Sequence, residues 1–97
     1  MATFIFLVSF TEQGVRAVKD TAKRADAFKQ MAQKGGVSIK SLFWTLGRHD
    51  VIAIAEAPDD ETATAIALSI SAQGNVRTET MRAFSSDEIK AIINKMA

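Results

Sequence analysis

The residue types most able to do chemistry are gathered in the stretch WTLGRHDV, residues 44–51, between two apolar runs. It contains the only histidine of the chain, His49, and the only tryptophan, Trp44. An imidazole could act there as a general base or as a metal or haem ligand. A structural zinc site would need further Cys or His ligands, which the sequence lacks, so no metal site is expected. The favoured interpretation is a half-exposed or exposed turn histidine.

Turn geometry explains two neighbours of this histidine. Gly47 can supply a positive φ in a tight connection, and Asp50 can accept hydrogen bonds from nearby backbone N–H groups. The same loop could still contact a ligand, because loops beside a rigid sheet often carry binding function. For Trp44 we favour core or interface packing over substrate stacking.

A second polar group lies later in the chain, where Thr78, Thr80 and Arg82 share one face of a predicted strand. Such a set could bind a small anionic or zwitterionic ligand, although a solvated edge strand with cross-strand ion pairs is the favoured interpretation. No catalytic residue is identified. The candidate ligand-binding residues are Trp44, Gly47, Arg48, His49, Asp50 and Arg82.

Periodicity predicts the elements that position these residues. Residues 3–10 and 51–56 are predicted strands that are apolar on both faces, whereas residues 37–45 and 75–83 are predicted strands that carry charge. Helical patterns cover residues 11–34, the segment between Pro58 and Gly74, and the residues after Ser85. The first pattern has a break near Asp20–Thr21 and one apolar stripe, which consists of Val15, Val18, Ala22, Ala25, Phe28 and Ala32. The resulting order, β-α-β-β-α-β-α, predicts an α+β, ferredoxin-like fold with a four-stranded antiparallel sheet and a C-terminal helix.

The first and third strands should be central in that sheet, and the charged second and fourth strands should lie at its edges. The two main helices would cover one face, which leaves apolar residues such as Ile5, Leu7, Ile52 and Ile54 on the other. Exposed apolar patches usually mark an interface, so we expect a homodimer or higher homo-oligomer through the sheet face. Coverage of that face by the last helix is the alternative.

Composition limits the remaining function classes. The chain has 97 residues, a length that suits a single domain spanning residues 1–97. A net charge of +1 and the small basic face of the first helix, which includes Arg24, give no reason to expect nucleic acid or a membrane as partner. The lack of Cys excludes disulfides and fits a reducing compartment, and the start of the chain lacks a signal-peptide pattern, so a cytoplasmic location is expected.

Three segments together resemble the GYD domain family of small bacterial proteins: FTEQGVRAVKDTAKRADAFKQMA, FWTLGRHDVIAIAEAPDDETATAIAL and GNVRTETMRAF. The resemblance runs from about Thr3 to Glu88 and implies a dimeric α/β-barrel type of fold, with no established biochemical function. The family commonly has Tyr where this chain has His49, so any role for a phenol hydroxyl is in doubt here, while Gly47 and Asp50 match.

The Gly-x-x-Asp hairpin is also similar to that of the effector domains of leucine-responsive regulators, which bind small ligands such as amino acids at subunit interfaces. These resemblances favour a non-catalytic module that binds a small molecule or a protein partner, with no cofactor. One alternative is a cofactor-free or haem-dependent oxygenase-like enzyme of the dimeric α/β-barrel type, in which His49 would be the base or ligand. Another is a purely structural partner of a second protein.

Overall fold

The elements of the protein follow the predicted order in a computed structural model that describes all of residues 1–97. A short 3-10 turn, Val18–Asp20, separates the first two helices. The strands are β1 Ala2–Phe10, β2 Ser38–Trp44, β3 Val51–Ala57 and β4 Val76–Ala83. The helices are α1 Glu12–Arg16, α2 Thr21–Lys34, α3 Asp60–Ala72 and α4 Ser86–Ile93. The α+β, ferredoxin-like fold is therefore confirmed.

The four strands form one antiparallel sheet in the order β2-β3-β1-β4. The two strands that are apolar on both faces are central and the two charged strands are edges, as predicted. Phe6 lies opposite Ala53 of β3 on one side and Thr80 of β4 on the other, which fixes the register across the middle of the sheet.

The hydrophobic core lies between one face of the sheet and helices α2 and α3. From β1 it takes Phe4 and Phe6, and Phe6 meets Phe28 of α2 edge-on at 6.2 Å between ring centroids. Opposite the helices, β3 supplies Ala53 and Ala55, both with no exposed surface. Small side chains there let the helices approach the sheet closely, and each buried phenylalanine contributes about 1.5–3 kcal/mol of transfer free energy.

The first helical segment differs from the prediction in the burial of its first apolar residues. The chain breaks at Ala17, α2 begins at Thr21 as predicted, and Val15 and Val18 are 56% and 40% exposed rather than buried. The reason is a close contact at Gly14, where an added Cβ would lie 1.9 Å from the carbonyl oxygen of Asn75. Helix α1 therefore packs against the loop before β4, and a straight continuation over the sheet is lost.

Candidate functional site

The hairpin between β2 and β3 is held by Asp50. Its carboxylate accepts a hydrogen bond from the backbone N–H of Phe10 at 2.8 Å, and its own N–H donates to the carbonyl of Val8 at 2.8 Å. Its carbonyl accepts from the N–H of Thr45 at 2.9 Å. Asp50 thus ties the hairpin to β1 through both side chain and backbone, and its carboxylate is already engaged within the protein.

The tip of the hairpin projects into solvent. Gly47 has a φ of +129° with no atom within 4 Å of the position of a Cβ, and both Leu46 and Arg48 are exposed. His49 is half-buried, and its Nδ1 lies 3.5 Å from the Oγ of Ser9, a β1 residue on the face away from the helices. The tip is therefore a protrusion, with the imidazole at the rim of the uncovered face of the sheet.

The two aromatic residues at the end of β2 face opposite ways. Trp44 turns to the helix side, where its Nε1 donates to the Oγ1 of Thr21 at 3.0 Å. Phe43 lies opposite Ile52 on the uncovered face and is 60% exposed. Trp44 is consequently separated from His49 by the sheet, although the two are close in sequence.

Arg82 lies far from the hairpin, because it is opposite Phe4 while the hairpin joins β1 at Val8. Four residues along a strand span about 13 Å. The guanidinium donates to the carbonyls of Thr3 and Ala83, and it stacks 4.5 Å from the ring centroid of Phe84. The structure therefore brings Gly47, Arg48, His49 and Asp50 together and places Arg82 elsewhere.

Arg82 instead anchors the last helix. Its Nη2 lies 3.3 Å from Oε2 of Glu88, while Oε1 of the same carboxylate accepts from the N–H of Ser85 at 2.9 Å in a capping box. The Ser85 backbone N–H, followed by Arg82, lowers the pKa of Glu88. At the start of α3, the Thr62 hydroxyl and backbone N–H lower the pKa of Asp59 in the same way. The largest cause of each shift is a helix-capping hydrogen bond.

The face of the sheet away from the helices, which we call the open face, carries an apolar centre flanked by Glu79 opposite Leu7 and by Ser41 opposite Ile54. In the register, Ile5 is opposite Ile54 and Met81, while Leu7 is opposite Ile52. The four central side chains are half-buried, and at the edges Met81 is 39% and Phe43 60% exposed. The residues of the open face are Ile5, Leu7, Phe43, Ile52, Ile54 and Met81.

Helix α4 does not cover the open face. None of its residues is buried, and Ile89, Ile92 and Ile93 are 44%, 37% and 54% exposed. A single chain therefore presents two uncovered apolar surfaces, one on the sheet and one on α4. Surfaces of this kind are characteristic of interfaces.

Neither a metal cluster nor a membrane-spanning helix is found in the molecule. The side chains form no group of three or more His, Cys, Asp or Glu able to hold a metal ion. No helix is both long enough and apolar enough to cross a bilayer.

The site residues predicted from the sequence did not include those on the helix side of the sheet next to Trp44. There Thr21, Arg24 and Phe28 of α2 line a cleft together with Trp44. The sequence predicts a solvated basic face for Arg24, but the residue is half-buried. A usable signal was the small Ala25 in the apolar stripe next to Arg24, since a small residue at a core-facing position leaves space for the neighbouring side chains.

The four-stranded antiparallel sheet with its open face defines a ferredoxin-like α+β domain. The family model described as GYD domain matches residues 4–93. The chain belongs to the GYD domain family, as the sequence segments predicted.

One curated relative is the glutamine synthetase and cystathionine beta-lyase binding protein of Thermus thermophilus. It is 29% identical over 84 residues, which cover 86% of this chain and 88% of the relative. A crystal structure of a protein from Thermus thermophilus superposes with a TM-score of 0.58 at 20% identity, covering 89% of this chain and 96% of that one.

The leucine response regulatory protein of Mycobacterium tuberculosis superposes with a TM-score of 0.62 at 10% identity. The match covers 88% of this chain and 51% of the regulator, so this chain spans about half of that protein. These two structural likenesses concern the fold alone.

Proposed function

We propose that this protein is a non-catalytic homodimeric interaction module, assembled through the open face and recruited to partner proteins through its hairpin. The observation that carries the proposal is the open face itself, with large apolar side chains that no element of the same chain covers. A second copy of the sheet would cover it in a symmetric, self-complementary contact. Sheets that pack face to face lie about 10 Å apart, a gap that large side chains from both copies can fill.

Helix α4 supports the same assembly. Its capping box and its contact with Arg82 fix its start, while its apolar residues stay exposed in the single chain. We propose that these residues pack on the second copy beside the paired open faces.

Assembly is tested by analytical ultracentrifugation at micromolar concentration. The expected mass is twice the 10.5 kDa of the chain. Ile54→Glu introduces a charge at the centre of the open face and should give a monomer, because an unpaired charge in an apolar interface is costly. Leu68→Glu is the matched control, since Leu68 is 66% exposed on α3, on the other side of the sheet, and should remain dimeric. A monomeric wild type that retains its fold by circular dichroism would refute the dimer.

The hairpin is the proposed docking element for a protein partner. Leu46 is fully exposed and Arg48 is exposed beside it, so the tip offers an apolar and a cationic side chain on a projecting loop. Projecting apolar and arginine residues are suited to filling a pocket on another protein. The relative named as a binding protein for two enzymes supports enzymes of nitrogen and sulfur amino-acid metabolism as the class of partner.

Docking is tested with purified glutamine synthetase and cystathionine beta-lyase from the same organism as this chain, by biolayer interferometry. Leu46→Asp should weaken binding at least about tenfold, which corresponds to about 1.4 kcal/mol, and should leave the dimer intact. Leu68→Asp is the control. Equal binding by both variants would exclude the hairpin as the docking element, and no binding by the wild type would exclude these two partners.

We further propose a cytoplasmic location, which the absence of Cys supports. Cell fractionation of the tagged protein tests it.

A further inference from the structure

A cleft on the helix side of the sheet lies between α2, α3 and the ends of β2 and β4. Its walls are mainly apolar and include Phe6, Phe28, Trp44 and Ile70. The cavity volume is about 60 Å³. An enclosed apolar cavity of about 150 Å³ can hold benzene, so this smaller cleft would enclose only part of such a ring and leave the rest towards solvent.

The cleft exists because a small side chain faces it. Ala25 of α2 lines the cleft and does not reach across to the opposite wall. A core of this size is normally filled to crystal-like density, so an apolar gap that remains open to solvent is a suitable place for an apolar ligand.

A cation without a counter-ion lies at this cleft. The half-buried Arg24 donates from Nη1 to the carbonyl of Ala17 at 2.8 Å and from Nη2 to the carbonyl of Gly14 at 3.4 Å. It has no carboxylate partner within 4.0 Å, since the ion pairs of the protein involve other residues. A guanidinium has five N–H donors, so donors remain after these two bonds. The two carbonyls restrain its position, and the remaining donors are bonded to no other group of the chain.

The opposite wall is also held in place. The bond from Trp44 to the Thr21 hydroxyl, at 3.0 Å, restrains the indole against the start of α2. Trp44 is 47% exposed, so a flat apolar group can reach its ring. Thr78 and Asn75 also belong to the lining of the same cleft, whose accessible surface is almost wholly apolar.

We infer that this cleft is a binding site for a small carboxylate bearing a single aromatic ring or a branched apolar group. The apolar group lies between Phe28 and Trp44, and the carboxylate accepts charge-assisted hydrogen bonds from Arg24. The site is built within one chain. It is therefore independent of the proposed dimer and of the docking hairpin.

The test uses phenylacetate and its neutral counterpart phenylacetamide as probes. Trp44 is the only tryptophan, so intrinsic fluorescence reports directly on the cleft. Phenylacetate should change that fluorescence saturably, with a dissociation constant below about 1 mM, and phenylacetamide should bind at least about tenfold more weakly. No saturable change with either probe, or equal affinity for both, would overturn the inference.

Three variants locate the site. Arg24→Gln should weaken the binding of phenylacetate at least about tenfold and leave the affinity for phenylacetamide unchanged, because the substitution removes the positive charge. Lys23→Gln, which removes an exposed positive charge one residue away on the same helix, should bind both probes as the wild type does. Ala25→Leu fills the cleft and should abolish binding of both probes. If Lys23→Gln weakened phenylacetate as much as Arg24→Gln, or if Ala25→Leu bound normally, the site would not be this cleft.

The monomer variant Ile54→Glu separates this inference from the proposed function. It should bind phenylacetate like the wild type, since Ile54 lies on the open face away from the cleft. Loss of binding in that variant would place the site between chains and overturn its assignment to one chain.

Discussion

Substitution of Asp50 by alanine tests whether the hairpin signature is structural. The carboxylate of Asp50 accepts the N–H of Phe10 at 2.8 Å, at the point where the β1–β3 ladder ends. Alanine keeps the backbone bonds of residue 50 and removes this one acceptor. The N–H of Phe10 then loses its charged partner.

A hydrogen bond to a charged group contributes about 1.5–3 kcal/mol to stability. Phe10 is half-buried, so water can reach part of the freed N–H, and the loss should lie near the lower limit, about 1.5 kcal/mol. For a domain of this size, about 4–8 °C is lost per kcal/mol, so the melting temperature should fall by about 6–12 °C.

Thermal unfolding followed by circular dichroism at one fixed protein concentration measures the effect, since melting of an oligomer depends on concentration. Asp50→Asn retains an acceptor oxygen, and its loss of stability should be less than half of that of Asp50→Ala. Asp26→Ala, on the exposed side of α2, should change stability by less than about 0.5 kcal/mol. If Asp50→Ala melted like Asp26→Ala, the structural explanation of Asp50 would be wrong, and a role in binding would have to explain its presence.

Three further changes test other parts of the fold. Gly14→Ala places a Cβ 1.9 Å from the carbonyl of Asn75 and should cost about 1–3 kcal/mol in urea unfolding; an unchanged midpoint would mean that α1 does not pack there. Gly47→Ala meets no atom but must adopt a φ of +129°, so a loss of about 1–3 kcal/mol by the same method would come from backbone strain, and no loss would show that the tip rearranges. The pKa of Glu88 is lowered from 4.5 in the folded chain, so its stabilisation of α4 is present above pH 4.5 and is lost as the pH falls through the folded value. NMR of the α4 amides during acid titration should show that loss, and Glu88→Gln should abolish the transition.

The order and the placement of strands were predictable because they depend on local patterns. Two strands with apolar residues on both faces have to be central, and β1 and β3 are. The capping box at Ser85 and the helix start at Asp60 were also predictable, since caps involve neighbours in sequence. The break before Thr21 was expected as well, although Asp20 makes no side-chain cap bond.

The contacts between elements that are distant in sequence could not be predicted from local patterns. The prediction that Val15 is buried was wrong, because the approach of Gly14 to Asn75 depends on how α1 meets the loop before β4. The separation of Arg82 from the hairpin follows from the β1–β4 register, which places Arg82 opposite Phe4. The contact of Trp44 with Thr21 depends on the position of α2 over the sheet.

The side chains of β3 give the strongest physical argument for a second sheet. Towards the helices this strand presents Ala53 and Ala55, which permit close helix packing, and towards the open face it presents Ile52 and Ile54. If the open face were solvated, the residues of the strand that point to it would normally be polar, because the exposure of apolar side chains to water is unfavourable. Ile52 and Ile54, which lie opposite Leu7 and Ile5, instead have side chains large enough to fill the gap between two facing sheets. The same strand therefore has small residues where its own helices pack and large ones on the open face, which supports the proposed dimer.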